Sequence, residues 1–389
     1  MTAAGESAPA TTAHYRGLML AVHLLFGLSG MAATASGALL PLLIRQWGLS
    51  DAQAGSLIAA EYGGSALAAI FVAALIMRGG FRGVLIASAA SIAAGLLLLA
   101  FASWPLALLA VLAAGIGIGL VIPAANLLVA QVSQRSGVML NLLNCAWVAG
   151  AIAGPLILKS FHQNQQAYLL SLIVVTAAIG LSLLAFRFPA QHRHAATSSA
   201  ERIGAGGAEV ALFAALFFLY VGTEAAVAFW VGEFTKRSEA SSQQFWLFAP
   251  SLFWGAILAG RALAALALRV VSSAAMLRAG LLIAIGGMAV MLARTVRPGI
   301  ALTGLGFACV FPLVMARLSA QLEHGRIGQR AAGIIFTAAP VGGVVLPQLV
   351  GSISGATGSL RLGLVLPLAG TVLMLVLYQA LPSRPQIEN

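Results

Sequence analysis

Charge is what this sequence has least of. Of its 389 residues only 8% are Asp, Glu, Lys or Arg, while 60% are hydrophobic. That composition excludes an ordinary water-soluble domain. Cysteine is nearly missing: Cys145 and Cys309 each lie inside an apolar run, which leaves no disulfide framework and no cysteine-based metal site. Alternating ten-residue apolar segments are lacking too, so a closed transmembrane β-barrel is excluded. No pore loop or ring of charged repeats marks a channel. No His/Asp/Ser or His/Glu cluster at catalytic spacing marks an enzyme, and no cofactor is expected. Acids are fewer than bases, 10 against 21. The basic excess does not point to nucleic acid, because its arginines sit in short loops between apolar runs, the topogenic pattern of a membrane protein.

What is present is a series of long apolar runs. A helix needs ~20 residues to cross ~30 Å of hydrocarbon. Twelve spans are expected, at about 17–44, 52–77, 83–103, 105–131, 137–159, 166–187, 209–233, 243–268, 272–294, 298–321, 329–353 and 360–381. The fold class is therefore an all-α polytopic membrane protein. The first run has no cleavage-site pattern and is read as a retained span. The longest polar interval, with His192 and His194, is read as a solvated linker between two six-helix bundles. The expected organisation is a tail 1–16, a bundle 17–188, a linker 189–208, a bundle 209–381 and a tail 382–389. With the N-terminus inside, thirteen Lys and Arg fall on the cytoplasmic side and seven outside. The positive-inside rule then puts both termini in the cytoplasm and the chain in the inner membrane. A weak repeat supports two halves: AALIMR ends span 2 at Arg78 and AALALR ends span 8 at Arg269. Two bundles with a repeat are the plan of an alternating-access transporter.

Chemistry must come from the few polar residues inside the spans. Only Glu61 and Glu224 are acids well within one. A carboxylate facing lipid is very costly, so each should face protein or a water-filled cavity and could carry a proton. On the segment FFLYVGTEAAVAFW, Tyr220, Thr223, Glu224, Val227 and Trp230 share one helical stripe. Arg261 is the one deep cation, two turns beyond Trp254 on the same face, and is read as structural or gating, as a partner of Glu224, or as a direct contact to the solute. Arg78, Arg82 and Arg269 are the other gating candidates. Amides form a second set: Asn126 on span 4, Asn141 and Asn144 beside Trp147 on span 5, and Thr337 with Gln348 on span 11. Amides and an indole N–H suit a neutral polyhydroxylated solute, because they need no counter-charge; interhelical hydrogen bonding is the other reading. His23 on span 1 is a third proton-carrying candidate. Gly115, Gly117 and Gly119 resemble a nucleotide fingerprint, but no strand precedes them, so close helix packing is expected. Pro155, Pro312, Pro340 and Pro347 are expected to kink or loosen their helices.

Several stretches together resemble the major facilitator superfamily, and within it the fucose–galactose–glucose:proton symporter group. They are LLPLLIRQWGLSDAQAG at 39–55, GIGIGLVIPAANLL at 115–128, LNLLNCAWVAGAIAGP at 140–155, YVGTEAAVAFW at 220–230, FWGAILAGR at 253–261, GLGFACVFPLVMA at 304–316 and AAGIIFTAAPVGGVVLPQLVG at 331–351. The resemblance implies a monomeric twelve-helix secondary transporter in the lipid bilayer, carrying a small-molecule solute, a sugar above all, with protons or by facilitated diffusion. It also implies differences. The superfamily's G-x-x-x-D-R-x-G-R-R/K loop reads AALIMRGGFR at 73–82, with Ala73 for the first Gly and Met77 for the acid. The two carboxylates that serve solute and proton in fucose-permease-like members align with Gly37 and Ile122, neither of which titrates. Proton coupling would then fall to Glu61 or Glu224. Drug or metabolite efflux is the alternative function, supported by the scarcity of fixed charge.

Overall fold

The computed structural model describes residues 15–133, 136–189, 207–238, 244–293, 295–323 and 327–381. The long apolar runs are helices, the form in which a single segment bonds its own backbone N–H and C=O groups where hydrocarbon offers none. In chain order they are α1 (Arg16–Trp47), α2 (Asp51–Phe101), α3 (Trp104–Val132), α4 (Ser136–Ser160), α5 (Gln165–Ser182), α6 (Gly207–Ser238), α7 (Ala249–Ala267), α8 (Ser273–Ala293), α9 (Val296–Phe307), α10 (Val310–Glu323), α11 (Gln329–Thr357), α12 (Leu360–Gly363) and α13 (Val365–Ala380). Of the segments expected outside the membrane, residues 1–14, 190–206 with His192 and His194, and 382–389 lie outside the described residues.

Two features turn this list into twelve crossings. The 51 residues of α2 would form a rod of about 76 Å at ~1.5 Å per residue, more than twice the hydrocarbon thickness. The helix instead breaks at Gly80, whose φ of 68° and ψ of 171° suit a residue without Cβ. Its limbs, 51–79 and 81–101, are the second and third crossings. Conversely, α9 and α10 are one crossing, interrupted at residues 308 and 309. Pro312 explains the interruption, since it has no N–H for the Ala308 carbonyl. The pair α12 and α13 also makes one crossing, as one apolar segment, Leu360–Ala380.

The first six crossings and the last six meet chiefly through three helix pairs: α1 with α6, α2 with α11 and α4 with α7. The polar contacts across this seam gather at one end, called here the closed end. Arg237 of α6 grips Asp51 of α2 with two nitrogens at 2.6 and 2.8 Å and also reaches Glu233 at 2.8 Å. Ser354 of α11 donates to the same Asp51 at 2.5 Å. The Lys236 ammonium donates to the Pro41 carbonyl of α1 at 2.9 Å. Between α4 and α7, Ser251 donates to Ile152 O at 2.8 Å, and the Lys159 ammonium lies 4.3 Å from the centroid of the Phe248 ring. At the opposite end, where α1 begins and α13 ends, Asn141, Asn144 and Cys145 of α4 and Thr337 of α11 are exposed. A vestibule of about 370 Å³ lies there between α4, α7, the break at residues 308 and 309, and α10.

Candidate functional site

A cavity of about 100 Å³ lies on the seam, between helices α1 to α4 of the first half and α6 and α7 of the second. Glu61 is the one acid among the described residues lining it, and no Lys, Arg or His is among them. The residue is 3% exposed. Ser36 of α1 donates to its Oε2 at 2.5 Å, which leaves Oε1 free for an occupant. Gly115 sets this position: a Cβ there would stand 2.0 Å from the Glu61 carbonyl oxygen, so α3 can approach α2 only through a glycine. The GIGIG run is thus helix packing, and Gly37 and Ile122 line the same cavity as Glu61.

Tyr62 follows Glu61 into the cavity wall and reaches across the seam. A Cβ on Gly343 of α11 would lie 2.1 Å from its ring. The second half contributes Ala225, Ala228, Phe229 and Trp254, an apolar wall apart from one indole N–H. Trp254 meets Trp147 of α4 edge to face, with ring centroids 5.1 Å apart and planes at 76°, the arrangement that ring quadrupoles favour. Neither indole Nε1 has a hydrogen-bond acceptor, although both are buried.

The vestibule begins next to this pair. Asn141, Asn144 and Cys145 form one wall, and Leu258, Arg261 and Pro312 lie opposite. The Arg261 Nε is buried without an acceptor. Behind it, Tyr220 donates to Glu224 Oε1 at 2.6 Å, and the Arg261 charge acts on the same carboxylate. Glu224 does not line the central cavity.

The remaining expected site residues are placed elsewhere. Asn126 spends an amide N–H on Ile122 O at 2.7 Å, and Asn144 one on Leu140 O at 2.8 Å. Thr337 donates to Gly333 O at 2.7 Å and faces a groove beside Phe218. Gln348 donates to Ala52 O at 3.2 Å and so belongs to the closed-end seam. Trp230 is fully buried, and its indole donates to Pro347 O at 3.0 Å, within the second half. His23 lies 2.7 Å from Met19 O on its own helix. Arg82 donates to the Leu184 carbonyl inside the first half. Arg78 and Arg269 are exposed near the open end. The contacts that close an end in this structure are made instead by Asp51, Arg237, Ser354 and Lys236, which sequence reasoning treated as loop or span-end residues. Ser36 and Tyr62 were also missed. Tyr62 had a signal, an aromatic hydroxyl next to an intramembrane acid; Ser36, 25 residues from its partner, had none.

The family model of the Major Facilitator Superfamily matches residues 22–347. No curated protein sequence matches the chain. Among solved structures, a bacterial homologue of the human lysosomal transporter Spinster, inward-facing and unoccupied, aligns at TM-score 0.75 and 15% identity over 96% of this chain and 98% of its own. The Escherichia coli xylose transporter XylE, inward open, aligns at TM-score 0.75 and 13% identity over 95% and 97%. FucP in its outward conformation aligns at TM-score 0.64 and 18% identity over 95% and 100%. At these identities the likeness is one of fold, and the two inward structures superpose better than the outward one.

Proposed function

The chain belongs to the Major Facilitator Superfamily, and we propose that it moves a small polar solute, a sugar first of all, across the inner membrane by alternating access, with Glu61 holding the coupling proton. The observation that carries this reading is the cavity on the seam between the halves, with a lone carboxyl in it. A solute bound there touches both halves, so rocking them exposes it to either side in turn. No cationic side chain among the described lining residues balances Glu61. An ionised carboxylate at that depth is costly. Its charge must be met by a proton or by the solute, and for a neutral sugar it is met by a proton. The positive-inside rule makes the open end cytoplasmic, so this conformation faces inward. Sugar is favoured by the resemblance to the fucose–galactose–glucose group, by the xylose and fucose transporters among the structural neighbours, and by the indole and amide groups of the cavity and vestibule.

The test is uptake into proteoliposomes of a hexose and pentose panel, with and without an inward proton gradient, for the native chain, Glu61→Gln and Glu224→Gln. Accumulation that needs the gradient and is lost in Glu61→Gln supports the reading. Equilibration indifferent to the gradient makes the protein a facilitator and removes the coupling role. A second reading has one observation in its favour. The rings of Tyr62, Trp147, Phe229 and Trp254 line the same cavity as the carboxyl, a set of groups that suits an ammonium group. Exchange of small organic amines for protons, without sugar uptake, would select that reading and make the chain an efflux antiporter.

A further inference from the structure

A buried N–H without an acceptor is rare in a folded protein and calls for a partner. Two such groups stand side by side here, one from each half: Trp147 Nε1 and Trp254 Nε1. We infer that Trp147 and Trp254 form the movable partition between the central cavity and the vestibule, and that their N–H groups are the donors that select a solute carrying two neighbouring acceptor oxygens. This deepens the transport reading above and rests on it for the identity of the solute.

Position comes first. Both indoles line the central cavity. One turn back along α4, Asn144 lines the vestibule; one and two turns on along α7, Leu258 and Arg261 do the same. The pair therefore stands where the two spaces adjoin. Its edge-to-face contact joins helices of opposite halves and contains no hydrogen bond, so it can part and re-form as the halves rock. Size requires it to part. The cavity of about 100 Å³ falls well below the ~300 Å³ at which small-molecule sites begin. Joined to the vestibule of about 370 Å³, it becomes large enough.

Chemistry comes second. An indole N–H donates and cannot accept. Ring centroids 5.1 Å apart place the two donors within reach of one small molecule. An occupant must therefore offer oxygens there, such as adjacent hydroxyls, or a hydroxyl beside a ring ether, while its far side donates to Glu61 Oε1. A solute stripped of one such oxygen leaves an indole N–H buried and unpaired.

The experiment has two arms. The first needs no solute. In a chain carrying Cys145→Ser and Cys309→Ala, a cysteine is placed behind the partition by Ala33→Cys, and its maleimide labelling is timed in purified protein. Trp147→Ala or Trp254→Ala should speed labelling roughly threefold to tenfold, the worth of an edge-to-face contact. Trp147→Leu and Trp254→Leu, which remove the ring but leave more apolar volume than alanine, serve where an alanine variant does not fold. Trp147→Phe and Trp254→Phe keep the ring contact and should leave the rate unchanged. An unchanged rate in folded Ala or Leu variants overturns the partition. The second arm measures binding of the transported solute and its monodeoxy analogues. Each Phe variant should weaken the full solute about fivefold to tenfold, the worth of one hydrogen bond, and erase the preference over one deoxy analogue. A preference kept in both Phe variants overturns the donor role. Should no sugar be transported, the labelling arm still decides the partition.

Discussion

Glu61 and Glu224 are the same residue type, each deep within a membrane span, one in each half, and the structure treats them differently. Glu224 accepts a hydrogen bond within its own half, from the Tyr220 hydroxyl at 2.6 Å, and the charge of Arg261 acts on it without a direct ion pair. Glu61 has the Ser36 hydroxyl and an open cavity, with no cation among the described residues around it. A carboxylate with a resident counter-charge has less use for a proton or a solute; one without it depends on what arrives. Under the proposed function the exchangeable charge falls to Glu61 and a structural one to Glu224, although Glu224 lies in the more conspicuous sequence stripe.

Five substitutions break or sharpen that contrast. The largest effect is expected from Glu61→Gln, which should reduce gradient-driven accumulation to simple equilibration, while Glu224→Gln keeps accumulation; uptake ratios at steady state read both. The reverse result would exchange the two roles. Next comes Arg261→Gln, which leaves Glu224 without its counter-charge and should cost roughly 1–3 kcal/mol of stability, below the range for a pair in direct contact. Adding Glu224→Gln should restore most of it, as measured by thermal unfolding in detergent. Tyr220→Phe removes a hydrogen bond to the same carboxylate and should cost about 1.5 kcal/mol in that assay with little change in accumulation. The smallest effect belongs to Ser36→Ala. It should cost about 1 kcal/mol and change the proton concentration for half-maximal uptake about fivefold. A loss of accumulation as complete as in Glu61→Gln would show that the hydroxyl is part of the proton path.

The crossings were legible in the sequence because each is a local property. Twenty apolar residues between Arg-bearing loops announce a span whatever lies beside it. The break at Gly80 could be read at the same level, as a Gly–Gly pair between Arg78 and Arg82. The site was less legible, and particular residues show why. Periodicity places Asn126 and Asn144 on a face of a helix, but it does not show that each amide bonds the carbonyl four residues back on its own helix. Trp230 belongs to the same stripe as Tyr220, yet its N–H is used by Pro347, 117 positions away. Asp51 and Arg237 are 186 positions apart and look, each alone, like ordinary interfacial charges. What decides function here is contact between distant helices, and hydropathy says nothing of which helices meet.

The closed end carries one more consequence. Asp51 is held at once by Arg237 of α6 and Ser354 of α11, so the state described here is favoured by contacts that touch no solute. Under the proposed alternating access, a ligand approaching from the closed end meets a state that these contacts disfavour, and its apparent dissociation constant rises as that state's fraction falls. Affinity measured from the two faces of the membrane should then differ even though the proposed site is one. A neutral change at Asp51 that redistributes the two states will tighten binding on one face and loosen it on the other.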